Sequence, residues 1–411
     1  MYKKLKQIGL LLLIMGINTA VIGQDYIPDG WYQFRGPNRD GISPEKITKT
    51  DWNGNDLELV WKKELGSGFS ELVVSDGFIY TMISEKIDSV TGSEFIVALD
   101  EKTGNELWRT KVDSIYIDAD GWGDGPRSTP IIDETNIYGL SAYGKLTALS
   151  RKDGKFLWQV DFIKFFGSTT PRWGYASSPV MVDNKIIMEV GGTENRTFMA
   201  FNKADGSILW NDGAGGASHD SPLKATINGQ EQLIFVNGRT LYSYSPDGDT
   251  LWTFKMPFRS ITAMPILIDD NKIFVSGVRT PGFFIAEINN NKATQLLTGN
   301  SMKNDFNSCV YHDGYLYGYH IAAVRCISVE TGEVKWSKRG FGKGSLILVD
   351  GKLMVLSDKG KLAIVEANPE AYMEVASVQA ITGKSWTAPS FKDGKVYVRN
   401  LTEMACYKIK K

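Results

Sequence analysis

The chain has 411 residues, a length that suits two or three average domains or one large all-β unit. Its 42 glycines and 11% aromatic content favour strands joined by tight turns over helices. A formal net charge of -1 removes the broad basic surface that nucleic acid requires, so no nucleic-acid partner is expected.

At the N-terminus Lys3, Lys4 and Lys6 precede an apolar run that ends in small residues near Gly23, which is the layout of a secretory signal peptide over residues 1–23. The run contains Asn18 and is shorter than the roughly 20 residues of a spanning helix, and no cysteine lies near it for acylation. An exported protein, periplasmic or extracellular, with no transmembrane segment after signal removal is therefore expected. Residues 24–56 read as an N-terminal extension that carries "WYQFRGPNRDGIS" (31–43).

From residue 57 to 411 one pattern repeats. "FIVALDEKTGNELWRTKV" (95–112) returns as "KLTALSRKDGKFLWQVDF" (145–162), "TFMAFNKADGSILWNDG" (197–213), "TLYSYSPDGDTLWTFKM" (240–256) and "AVRCISVETGEVKWSKR" (323–339), with weaker copies at 283–299 and 362–378. Each copy is an alternating strand, a Gly- or Asn-containing turn and a second strand, hence a β-hairpin. A fainter hairpin of the type "STPIIDETNIYGLSA" (128–142) lies upstream of each. Four short strands every roughly 40 to 50 residues describe the blade of a propeller.

The expected fold is all-β: an eight-bladed β-propeller of four-stranded antiparallel blades, with strands A to D running outward. The C-terminal repeat lacks a D strand, and the isolated "LVWKKEL" (59–65) supplies one, so the N-terminal strand is expected to close the ring by pairing with the C-terminal blade. Trp61, Trp108, Trp158, Trp210, Trp252 and Trp336 recur in register and read as inter-blade packing. Trp31, Trp52, Trp122, Trp173 and Trp386 are off register and need another reason.

Because at least five copies carry the Gly turn and the Trp together, nearly all of the chain after residue 23 resembles the pyrroloquinoline-quinone-like (PQQ-like) β-propeller repeat family, in which "AxDxxTGxxxW" closes each blade, in an exported bacterial branch. Its relatives include BamB-like envelope scaffolds and the quinoprotein alcohol dehydrogenases. The first relation implies an envelope protein partner. The second implies an oxidoreductase with bound PQQ and Ca²⁺, the ion held by carboxylate and amide oxygens. Against the second stand the absence of a vicinal cysteine pair and of a CxxCH haem motif.

Blade topology places the D–A and B–C connections on one face, around the mouth of a central funnel. The D–A connections supply the candidate ligand-binding residues: Trp122, Asp124 and Arg127 in "GWGDGPRSTP", Arg172, Trp173 and Tyr175 in "TPRWGYASSP", His219 and Asp220 in "GASHDSP", and Trp386 in "GKSWTAP". Arg259, Asp305 and Asn307 fall on the same face, and the B–C connections add Arg196, Arg239, Arg279 and Arg399. Arginines beside off-register aromatics suit a small anionic or sugar-like ligand through forked hydrogen bonds and stacking. The alternative is that Arg127 and Arg172 pair with Asp124, Asp118 or Asp220 and brace the loops. Cys309, Cys326 and Cys406 read as free, mostly buried thiols, and His312 as a solvated turn residue on the opposite face. The sequence thus points to an exported binding module or scaffold, with a PQQ- and Ca-dependent dehydrogenase as the alternative.

Overall fold

In the computed structural model, which describes residues 28–259 and 262–410, each repeat folds as a four-stranded antiparallel blade. The expected signal peptide, 1–23, lies outside the described residues. Blade 1 comprises Val73–Ser75, Phe78–Lys86, Gly92–Asp100 and Glu106–Ser114, and blades 2 to 7 repeat that order outward from the axis. Blade 8 joins Ser390–Lys392, Lys395–Arg399 and Glu403–Ile409 to Leu57–Glu64, with Trp61 opposite Cys406. The fold is the eight-bladed propeller expected, closed by its first long strand. Among the described residues one short helix, Phe162–Phe166, interrupts the strands.

The repeat signature has a direct physical reading. The Trp of one blade's D strand lies on the Gly of the next blade's C–D turn: Trp61 on Gly104, Trp108 on Gly154, Trp158 on Gly206 and Trp210 on Gly248. A Cβ on these glycines would come within 2.9, 2.5, 2.7 and 2.7 Å of the indole, and each Gly also holds a positive φ that side chains disfavour. Glycine and tryptophan are therefore required as a pair, one in each of two neighbouring blades. Trp61, Trp158 and Trp210 also donate their indole N–H to a carbonyl of the adjacent turn, that of Glu101, Lys203 and Pro246 respectively. Blade 5 turns instead through Asn290 and Asn291, both at positive φ, and Trp252 donates to Gln232 of its own blade.

Hydroxyls at the starts of the innermost strands join the blades on the inside. The Glu71 N–H donates to Thr129 Oγ1, the Thr129 N–H to Ser178 Oγ and the Ser178 N–H to Ser221 Oγ, each bond 2.9 Å long. This chain explains the recurring "STP", "SSP" and "DSP": the hydroxyl accepts from the preceding blade, and Pro begins a strand where a missing N–H costs nothing.

The extension from residue 31 to 43 crosses the axis of the ring. Trp31, expected among the unexplained aromatics, is fully buried, where it bridges to Val74 of blade 1 and packs in the core shared by blades 7, 8 and 1. Ile42–Ser43 pairs in parallel with Leu348 and Val349 of blade 7. Between these anchors, the Arg39 guanidinium donates to the carbonyls of Ser178, Pro179 and Pro222, and that of Arg35 to the carbonyls of Ser308 and Cys309. The segment is a plug. On its far side a cavity of about 1060 Å³ opens among the A–B turns, lined by Asp133, Asp183, Asp269 and the plug's Tyr32 and Asn38. Trp52 packs half-buried against the core of the closing blade. All three cysteines are free and buried.

Candidate functional site

A pocket of about 280 Å³ sits on the D–A face above the plug. Every D–A connection contributes to its lining: Phe69 precedes blade 1, Trp122 and Arg127 blade 2, Trp173 blade 3, His219 blade 4, Thr262 blade 5, Asp305 and Phe306 blade 6, Lys343 blade 7 and Trp386 blade 8. The plug supplies Phe34 and Arg35 below.

Trp386 is the centre of the aromatic wall. Its ring lies 4.8 Å from Phe306, 5.7 Å from Trp122 and 5.9 Å from Phe69, the last in a stacked arrangement. Lys384 stands over Trp386 at 4.7 Å and donates its ammonium to the Trp122 carbonyl, tying the blade 7–8 loop to the blade 1–2 loop. Trp122 remains 45% exposed, a large apolar surface held open at the rim. On the other side Trp173 meets the His219 ring at 5.2 Å. Burial pushes the His219 imidazole down to about 4, so it is neutral at physiological pH.

Two cations at the mouth are already matched. Arg127 pairs with Asp118 at 2.6 Å, donates to the Gly123 and Gly125 carbonyls, and lies over Phe69 at 5.3 Å and Tyr116 at 5.0 Å. Lys343 pairs with Asp305. The bracing role weighed for Arg127 is thus present, with Asp118 as the partner, and the residue still lines the pocket.

Of the residues expected at the mouth, Trp122, Arg127, Trp173, His219 and Trp386 line this pocket, together with Asp305 and Asn307. The others are placed differently. Tyr175 is fully buried in the core of blades 2 and 3, donates to the Val190 carbonyl and packs edge-on against Phe162, because its ring fills the space that Gly144 leaves empty. Asp124 turns to the rim, where it pairs with Lys86 at 2.6 Å and accepts from the Asp118 N–H. Arg172 is exposed and pairs with Asp120, which also accepts from the Trp173 indole. Asp220 is 1% exposed and lies behind the mouth beside Glu189.

The B–C arginines also diverge. Arg196 pairs with Glu194, and Arg239 donates to the Pro257 carbonyl. Arg399 is fully buried and donates to the Ser70, Met82, Gly66 and Gly68 carbonyls at the seam between blades 8 and 1. Arg259 and Arg279 are exposed. Phe34, Arg35, Phe69, Phe306 and Lys343 were missed as pocket residues. Phe69 and Phe306 lie in D–A connections and were open to the same topological argument as Trp386, whereas nothing in a linear pattern brings residue 34 to the axis.

A family model described as outer membrane protein assembly factor BamB matches residues 92–338, more than half of the chain. The chain belongs to that family. No curated protein matches it in sequence. Among solved structures, this BamB-family chain is similar to BamB from Moraxella catarrhalis, with a TM-score of 0.63 and 13% identity over 86% of this chain and 98% of the other. It is also similar to the quinohemoprotein alcohol dehydrogenase from Comamonas testosteroni, at TM-score 0.69 and 13% identity over 93% and 81% of the two chains. A europium-containing methanol dehydrogenase aligns at TM-score 0.66 and 12% identity over 92% and 98%. At these identities the likeness is one of fold, and function has to be argued from the site.

The donor set at this site does not fit the calcium that the dehydrogenase alternative requires. Its two carboxylates, Asp118 and Asp305, are each neutralised by a cation, and among the described residues no three His, Cys, Asp or Glu side chains converge as ligands.

Proposed function

We propose that the protein is an exported binding module whose site is the aromatic pocket at the funnel mouth, and that it takes a small ring-shaped ligand, anionic or sugar-like. The observation that supports this most is the Trp386 cluster. Four aromatic rings contributed by four different connections meet at one place, and one of them, Trp122, is left exposed. Loops on a stiff frame are the usual location of binding, and an exposed indole beside Arg127 and Lys384 offers stacking with charge at its edge.

Titration with sugar acids and aromatic acids, followed by tryptophan fluorescence, tests the reading. Trp386→Ala is expected to weaken a detected ligand by about tenfold or more, a loss of about 1.4 kcal/mol. Unchanged affinity in that variant rejects the pocket. Pyrroloquinoline quinone with Ca²⁺ is the control for the alternative and is expected to give no alcohol-dependent dye reduction. The family description supports a second reading, a scaffold for an envelope protein; association with such a partner that survives Trp386→Ala would favour it.

A further inference from the structure

The mouth of the pocket is built from blade loops, but its floor is not. Phe34 and Arg35 line it from below, and both belong to the N-terminal plug. Arg35 is 3% exposed. Its Nη1 donates to the Ser308 carbonyl and its Nη2 to the carbonyls of Asp40 and Cys309, while its Nε–H has no partner. Glu71 accepts from the Arg35 backbone N–H at 2.8 Å, and no carboxylate accepts from the guanidinium among the described residues. Burial pushes the Glu71 carboxyl up to about 7, raises that of Asp40 and lowers the pKa of the Arg35 guanidinium itself, while the charges of the three partly offset one another.

The contrast with the mouth is informative. Arg127 and Lys343 each carry a carboxylate partner and Lys384, above the wall, donates to main-chain carbonyls, so among the arginines and lysines that line the pocket Arg35 is the one without a carboxylate partner. His219, which also lines the pocket, has an unpartnered Nε2. Two residues that line one cavity thus each carry a buried nitrogen without a protein partner, and such groups call for an explanation.

We propose that the plug is part of the ligand site, with Arg35 receiving the ligand's anionic group at the floor and Phe34 lying against its ring. The inference rests on the reading of the funnel as a ligand pocket and narrows the ligand to a carboxylated ring, either a sugar acid or an aromatic acid. A carboxylate there answers the Arg35 charge, and the ring occupies the space between Trp386 and Trp173.

The full protein is titrated with galacturonate and benzoate, and with galactose and benzyl alcohol as neutral counterparts. At least one acid is expected to bind at least tenfold more tightly than its counterpart, and the responding pair separates the two ring types. Arg35→Lys is expected to lose about tenfold for that acid and to leave the neutral counterpart unchanged. Equal binding of acid and counterpart, or full acid binding by Arg35→Lys, overturns the proposal. Failure of all four probes, or indifference to Trp386→Ala, overturns instead the pocket reading on which it stands. Arg35 also braces strand carbonyls, so wild-type hydrogen exchange gives a reading without substitution. The amides of residues 31–43 are expected to gain protection when the acid is added, and unchanged exchange counts against the plug as a ligand contact.

Discussion

Asp220 is a carboxyl group that the fold buries without compensation. Neither of its oxygens has a hydrogen-bond partner, Glu189 lies close by, and burial raises its pKa well above the ordinary 3.8. Between those two values the folded state keeps a proton that the unfolded chain has released. Stability therefore falls as pH rises through that window. Glu189, pushed up to about 7 by burial, acts in the same sense below that pH. His219 acts oppositely, but only between about 4 and its ordinary 6.5. Comparison with a variant that carries no carboxyl at this position isolates the Asp220 contribution from these others. Asp220→Asn is expected to raise stability at pH 8 by on the order of 1–3 kcal/mol and to flatten the decline seen in wild type. Denaturant melts of both proteins at each pH from 4 to 8 check this, and parallel pH dependence for the two would refute it. The sequence hid this behaviour: "SHDS" reads as a polar rim cluster because adjacent residues look alike in a string. Ser218 and Asp220 face inward there, while His219 between them faces the pocket.

For the elements, legibility followed from how local the causes were. The C–D hairpin with its Gly and the following Trp was visible because one short stretch encodes both halves of a contact that repeats between neighbours. The innermost strands were visible through Pro and a preceding hydroxyl, whose hydrogen bond reaches only the adjacent blade. Ser178→Ala leaves the Thr129 N–H without an acceptor in a buried place, and is expected to cost about 1–3 kcal/mol in thermal or chemical unfolding. A cost near zero would mean that the hydroxyl chain is incidental. The plug was not legible. Its arginines bind main-chain carbonyls of blades 3, 4 and 6, and a carbonyl has no sequence signature. Burial of Trp31 and Arg39 is a tertiary outcome that no periodicity announces.

Across the whole molecule, ring closure rests on one strand. Leu57–Glu64 completes blade 8 by pairing along Glu403–Ile409, and Trp61 covers Gly104 of blade 1 from that strand. Removing residues 57–64 leaves blade 8 three-stranded, with an uncovered edge beside a vacated Trp slot. Such a protein is expected to associate at micromolar concentration and to be cut by protease within 395–409 at a rate at least tenfold above wild type, because an open sheet edge templates pairing. Size-exclusion chromatography and timed digestion decide it, and a monomer as resistant as wild type would show that the ring holds without its clasp.

That clasp also sets the order in which the molecule can assemble. Seven blades can form from contacts within or between neighbouring repeats, but the eighth joins residues 57–64 to residues 403–409. Contacts so distant in sequence form slowly, since the chain must search for them before they reward the search. The early strand waits unpartnered, with Leu57 and Trp61 uncovered, while the rest of the ring is laid down. Refolding is therefore expected to end in a late closing step. Until that step is finished, the seam between blades 8 and 1 is where the molecule is most exposed to aggregation and to quality control.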